Sequence, residues 1–245
     1  MQVQKRSGKL EDINIDKLHK VVQYACNGIS GVSPSEVEIN SQIQLYNSIT
    51  SIAIQETLIK SAADLISEET PNYQYVAGRL INYHLRKAVY GEFIPPSLGD
   101  IIDKNIHLGF YDREILSVYT KEEVNTINKY IHHERDEVLT YAAMEQFRGK
   151  YLVQNRSTGE IYETPQVAYM LIAMTLFGKY DKAIRLQYVK DYYDAISTFE
   201  ISLPTPVMAG VRTPQRQFSS CVLIETGDSL DSINATTSAV VKYVS

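Results

Sequence analysis

Five cations stand within the first twenty residues, Lys5, Arg6, Lys9, Lys17 and Lys20, interleaved with Glu11, Asp12 and Asp16. Where a hairpin meets a helix N-terminus, backbone N–H groups and the helix dipole favour an anion, and such a cluster suits a triphosphate. The same charges also suit a solvated face. Lys87, in Leu85-Arg-Lys-Ala, either brings another cation to that phosphate or stands as an ordinary exposed helix lysine. There is no Walker-type glycine loop, so any nucleotide here is held by a different geometry.

The two cysteines, Cys26 and Cys221, are too few for a disulfide framework or a four-thiolate zinc site, and they suit a reducing compartment. Cys26 falls near the end of an amphipathic helix and reads as a small core residue. Cys221 follows Ser219-Ser220 and opens an apolar run, so its thiol faces either a core or a cavity, inert in the one case and redox-active in the other. No partner thiol is evident, because Cys26 belongs to a different unit of the chain. His132-His133-Glu134 lacks the i, i+4 spacing of a helical metal pair and reads as a solvated helix end, so no metal site is expected.

The composition sets the limits. At 245 residues, 44% hydrophobic and 22% charged, the chain is long enough for one or two packed domains. A net charge of −5 argues against a general nucleic-acid coat protein. The chain opens without a basic, apolar leader, and its longest apolar-rich run, Val167 to Phe177, falls far short of the ~20 residues that span a bilayer. Neither nucleic acid nor membrane is an expected partner, and a cytoplasmic location is.

These residues are set on a small α/β unit followed by helices. Val3–Arg6 and Lys9–Ile13 pair as a hairpin about Ser7-Gly8, and a helix runs from an Asn14 cap to Gly28. Ser33-Pro34-Ser35-Glu36 has capping-box spacing, and its helix continues through Val37 and Ile43 toward Tyr46. Ile54, Leu58, Ala62, Leu65 and Ile66 mark the next helix, and Thr70-Pro71 caps another that stops at Gly91. Pro95-Pro96 reads as the linker. Helices are expected near 97–108, 112–119, 121–133 and 138–149, then a second hairpin pairing Tyr151–Gln154 with Glu160–Glu163, and helices near 165–177 and 181–198. Ile201–Leu203 and Ser220–Ile224 have buried-strand character, and a helix from about Ser229 to Val244 closes the chain. Two strands without further partners leave unpaired edges, so this second part reads as unfinished.

Two segments are specific enough to carry a resemblance. They are Ile201-Ser-Leu-Pro-Thr-Pro-Val-Met-Ala-Gly-Val-Arg-Thr-Pro-Gln-Arg-Gln-Phe-Ser-Ser-Cys221 and Gly227-Asp-Ser-Leu-Asp-Ser-Ile-Asn-Ala235. Together they closely resemble the large, catalytic chain of class I ribonucleoside-diphosphate reductases. Lys5-Arg-Ser-Gly, Ile13-Asn-Ile-Asp-Lys17 and Pro71-Asn-Tyr-Gln-Tyr75 resemble that family's ATP-cone, and Lys150-Tyr-Leu-Val-Gln-Asn-Arg156 its helical region. The implied fold is α/β. A mainly helical ATP-cone (hairpin plus four helices) occupies residues 1–92 and a helical region residues 93–200. Residues 201–245 then form the first strands and helix of an incomplete α/β barrel, ten-stranded in that family.

The resemblance implies reduction of ribonucleoside diphosphates by thiyl-radical chemistry, with ATP or dATP bound in the cone and dNTP effectors at a specificity site. Cone contacts would be Lys5, the run Glu11, Asp12, Ile13, Asn14, Ile15, Asp16 and Lys17, then Ser51 and Lys87. Ser51 keeps the hydroxyl of a common family threonine, and Gln55 replaces a histidine that some members place near the base. Thr205 and Ser220 would contact substrate, Cys221 would be one of two reducing thiols, and Asp228, Ser229 and Leu230 would hold the specificity effector. The family's radical metallocofactor belongs to a small subunit, so no metal is implied in this chain. Implied partners are that small subunit, thioredoxin or glutaredoxin, a second large subunit, and a complementing chain that supplies the rest of the barrel. Without that complement no turnover is expected. A stand-alone ATP/dATP-sensing regulator built on the cone is the alternative.

Overall fold

The computed structural model describes residues 2–41 and 46–245. At the N-terminus β1 (Gln2–Gln4) and β2 (Leu10–Asp12) pair antiparallel, with Val3 opposite Glu11. A third strand absent from the sequence reading, β3 (Ile49–Thr50), lies parallel to β1 with Ile49 opposite Val3, giving the order β2-β1-β3. Four helices surround this sheet: α1 (Ile15–Cys26), α2 (Pro34–Ser41), α3 (Ser51–Asp64) and α4 (Tyr73–Tyr90). The continuation of α2 through Ile43 lies outside the described residues.

The starts of these helices follow from side-chain chemistry. Asn14 accepts from the Lys17 N–H at 3.0 Å and Thr50 from the Ala53 N–H at 3.0 Å, each satisfying a free first-turn donor. At α2 the expected capping box is opened by an inserted group. The Ser33 N–H donates to the Tyr73 hydroxyl (3.0 Å), and that hydroxyl donates to the Glu36 carboxylate. Thr70 does not cap α4. Its hydroxyl donates to the Leu65 carbonyl at 2.7 Å, and Asn72 stands at the cap without a side-chain bond. Gly91 ends α4 at φ +79°, a left-handed conformation that glycine adopts without strain.

Beyond Pro95-Pro96 come α5 (Leu98–His107), α6 (Glu114–Val118) and α7 (Lys121–Asn128). The Thr120–Glu123 capping box of α7 is complete. The helix expected near 121–133 stops at Asn128, and His133–Val138 forms a 3-10 turn. Its histidine pair is not the solvated helix end expected: His133 is mostly buried, its Nδ1 has no partner, and burial lowers its pKa to about 4. Helix α8 (Tyr141–Gln146) passes into a π-turn over Phe147–Tyr151. The second hairpin contracts to one bridge, Gln154–Ile161, flanked by Tyr162 N–H to Val153 O at 3.0 Å.

Helix α9 (Pro165–Phe177) is buried along nearly its whole length and packs on α10 (Arg185–Ser197). One continuous apolar core runs from Val3 to Val211 and joins the N-terminal unit to the later helices. The joint is tightest at Gly78 of α4, where an added Cβ would stand 2.1 Å from the Leu139 carbonyl oxygen.

The C-terminal stretch departs most from expectation. Ile201–Leu203 and Ser220–Ile224 form no strand, and Thr205 sits in the first turn of a short helix, α11 (Thr205–Gly210), rather than directly after a strand. A strand needs a ladder partner for its N–H and C=O groups, and none exists among the described residues. Val222, Leu223 and Ile224 are exposed, Leu223 at 97%. The closing helix α12 (Leu230–Val244) buries no residue at all. Among the described residues no helix is long and apolar enough to cross a membrane.

Candidate functional site: a cationic cleft at the N-terminal hairpin

A cleft of 810 Å³ opens between the β1–β2 hairpin, the start of α1 and one face each of α3 and α4. The local fold explains the convergence. The hairpin turn projects Lys5 and Arg6, and the Asn14 cap directs the first turn of α1 at the cleft. Spacing of three to four residues sets Lys17, Lys20 and Tyr24 along one helix face. The same spacing aligns Tyr83 and Lys87 on α4. Tyr24 and Tyr83 were not singled out from the sequence, although this periodicity was there to find them.

Of the expected cone contacts, Lys5, Glu11, Asp12, Ile13, Asn14, Lys17, Ser51 and Lys87 line the cleft, and Gln55 joins them. Ile15 and Asp16 do not; Ile15 points to solvent. The cations are only loosely tied down. Lys5 lies 3.6 Å and Lys9 3.7 Å from the Glu11 carboxylate. The Lys87 ammonium stands 5.9 Å from the Tyr83 ring centroid. Such partly exposed pairs exchange readily for a stronger anion.

An aromatic wall closes one side. Tyr24 meets Phe93 edge-on at 5.4 Å, and Tyr83 stacks on Phe93 at 5.4 Å. Burial, reinforced by the Glu137 carboxylate that the hydroxyl contacts, pushes the Tyr24 phenol up to about 12, so it remains a neutral donor. Gln55 is buried, and its Oε1 has no hydrogen-bond partner. An unmet acceptor at the wall of a polar cleft is costly unless a ligand or water donates to it.

The other expected site residues are not gathered. Thr205 is half-buried, whereas Ser220, Cys221, Asp228, Ser229 and Leu230 are all exposed. The Ser220 hydroxyl lies 3.8 Å from the Cys221 sulfur. The Ser229 side chain accepts from the Ser232 N–H and caps α12. Neither cysteine forms a disulfide; Cys26 is buried, and that burial pushes its thiol up to about 11. A second cavity of 250 Å³ lies elsewhere, against α6 and the end of α9, and includes Phe218 but none of these residues. Among the described residues no cluster of His, Cys, Asp or Glu could hold a metal ion.

Comparison with known proteins finds two family-model matches and a set of similar chains. The family model of the ATP cone domain matches residues 1–88, and that of the ribonucleotide reductase all-alpha domain matches residues 137–216. Ribonucleoside-diphosphate reductase 1 subunit alpha of Escherichia coli is 58% identical over 243 residues, which is 99% of this chain and 32% of the relative. Ribonucleoside-diphosphate reductase subunit alpha of Haemophilus influenzae is 58% identical over 245 residues, all of this chain and 32% of its own length. The subunit alpha of Enterobacteria phage T4 is 46% identical, again over all of this chain and 32% of its own. The chain thus spans about a third of the length of the curated relatives it matches, and the likeness runs through it rather than stopping at the cone. Over its whole length the chain is similar to ribonucleoside-diphosphate reductase alpha subunits, and it carries an ATP cone domain match and a ribonucleotide reductase all-alpha domain match.

Proposed function

We propose that residues 1–92 bind ATP or dATP in the hairpin cleft, as the effector-sensing part of a reductase large subunit that converts ribonucleoside diphosphates to deoxyribonucleoside diphosphates. The observation that carries this reading is the convergence on one cleft of Lys5, Lys17, Lys20 and Lys87 with the capped N-terminus of α1. Lysine ammonium groups and the positive end of a helix both stabilise a triphosphate. Asn14, Ile13 and Ser51 offer neutral contacts, and the Gln55 Oε1 can accept from a ribose hydroxyl or a base amine. Gln55 stands in place of a family histidine, so stacking on the base falls to Tyr24 or Tyr83. Glu11 and Asp12 repel phosphate and therefore suit the ribose or base end.

Residues 93–200 are proposed as the helical region that joins this sensor to a catalytic barrel, and residues 201–245 as the opening of that barrel. The exposed apolar side chains of 217–245 support this reading, because they pack only once further polypeptide covers them. That polypeptide is either continuous with this chain or a complementing chain in a split large subunit. In the completed barrel Thr205 and Ser220 would contact substrate. Cys221 and a second thiol would supply two electrons and end as a disulfide, which thioredoxin or glutaredoxin reduces. Asp228, Ser229 and Leu230 would hold a dNTP that sets substrate choice. A small subunit would supply the radical, large subunits would pair, and the site of action would be the cytoplasm.

The test is reconstitution. Mixed with the remainder of the barrel and the radical subunit, the chain should restore reduction of a ribonucleoside diphosphate, and Cys221→Ser should abolish multiple turnover while leaving assembly intact. Turnover at background with the complete set, or unchanged rates in the variant, would refute the assignment.

A further inference from the structure

Arg6 of the cleft is held from behind by a histidine. Its Nη2 lies 3.1 Å from Nδ1 of His84 on α4. A guanidinium can only donate, so Nδ1 is the acceptor and the imidazole is neutral, with its proton on Nε2. That nitrogen faces the Glu56 carboxylate of α3 at 3.5 Å. Glu56 in turn accepts from Arg148 of the π-turn at 3.0 Å, and Arg148 also grips Glu145 of α8 at 2.7 Å. His84 is thus a mostly buried imidazole with Arg6 on one nitrogen, Glu56 on the other and Arg148 behind the carboxylate. On its own helix Lys87 follows three residues later.

We propose that a triphosphate entering the cleft draws Arg6 off His84, and that His84 then takes up one proton from solvent and becomes an imidazolium paired with Glu56. This rests on the cleft being a nucleotide site. Arg6 is a cleft cation within reach of a phosphate, and a phosphate is a far better partner for a guanidinium than a neutral imidazole is. Once Arg6 moves, Nδ1 loses both its donor and an adjacent positive charge, while Glu56 remains in place. Burial and the Arg6 charge hold the His84 proton affinity down in the empty cleft, and Glu56 opposes them. Removing Arg6 leaves burial and Arg148 against Glu56, and the affinity rises. The new charge arrives at the carboxylate that also holds Arg148, so occupancy of the cleft is felt electrostatically at the π-turn.

The sign follows. The bound form holds a proton that the free form lacks between the two midpoints. Nucleotide affinity is therefore highest at acid pH and declines as pH rises through the bound-state midpoint. A rise of about one unit corresponds to about a tenfold change in affinity.

The experiment uses the whole chain and ATP. Calorimetry in buffers of differing ionisation enthalpy gives both the affinity and the number of protons taken up, and imidazole NMR follows the His84 titration midpoint. The expected result is ATP binding with proton uptake that His84→Gln removes, and a midpoint about one unit higher in the complex. Arg6→Gln provides a second arm if His84→Gln fails to fold: it should raise the His84 midpoint in the free chain and abolish any further rise on adding ATP. Saturable ATP binding with an unmoved midpoint and no uptake attributable to His84 would overturn this inference and leave the nucleotide site standing. No ATP binding at all would overturn both.

Discussion

Arg212 and Glu163 form a salt bridge in which neither side chain reaches solvent. The guanidinium Nε lies 2.9 Å from the carboxylate, and its other nitrogens donate to the Met208 and Tyr151 carbonyls. The carboxylate also accepts from the Tyr111 hydroxyl (2.6 Å) and the Val153 N–H (2.7 Å). One ion pair thereby ties α11, the π-turn, the 153–162 bridge and the segment before α6. Removing one partner strands a buried charge. Arg212→Ala should cost about 3–5 kcal/mol, while Arg212→Met with Glu163→Leu should cost far less. Urea unfolding of both variants decides it; equal losses would mean that the pair is not what holds the joint.

Gly78 governs the approach of α4 to the segment after the 3-10 turn. With the Leu139 carbonyl 2.1 Å from where a Cβ would stand, backbone must move to admit alanine. Gly78→Ala should therefore destabilise by about 1–3 kcal/mol, against the usual helix gain of alanine over glycine. A thermal midpoint at or above the wild-type value would show that the two segments part easily.

Asp136 sits fully buried between Arg86 (3.2 Å) and Gln166 (3.0 Å). Burial pushes its carboxyl up to about 6, against the lowering pull of Arg86 and Gln166. The folded chain therefore keeps this proton where the unfolded chain, titrating at the ordinary value of 3.8, has lost it. The resulting stabilisation is complete at acid pH and is lost as pH rises from about 4 through about 6. The stability of wild type relative to Asp136→Asn should fall across that window and be level above it. A flat difference would mean that the carboxyl titrates alike in both states.

The thiols differ in exposure, and that is directly measurable. Cys221 is exposed, whereas Cys26 is buried with its thiol raised to about 11. A disulfide reagent at neutral pH should modify one thiol per native chain rapidly and the second only on unfolding. Cys221→Ser should remove the fast phase. A fast phase that survives this substitution would place Cys26 within reach of solvent.

Much of the fold was legible because it is written in local chemistry. The apolar run of α9 names a buried helix, Thr120 and Glu123 announce the start of α7, and Gly91 announces the end of α4. The cleft was half legible: the cations of the hairpin and α1 are close in sequence, while the α4 face that carries Tyr83 and Lys87 is brought beside them only by packing. Arg212 and Glu163, 49 residues apart, follow no periodicity and could not be paired from the sequence. Ile201–Leu203 and Ser220–Ile224 show the opposite failure. Their composition reports a buried environment, but a strand also needs a partner, and composition says nothing about where that partner is.

The nucleotide cleft is tested most directly by calorimetric titration of the chain with ATP and with dATP, repeated on Lys5→Ala and Lys87→Ala. Saturable binding is expected, weakened by about 1–3 kcal/mol in each variant if each lysine makes one charge-assisted hydrogen bond. Equal affinities in wild type and both variants, or no binding of either nucleotide, would contradict the account.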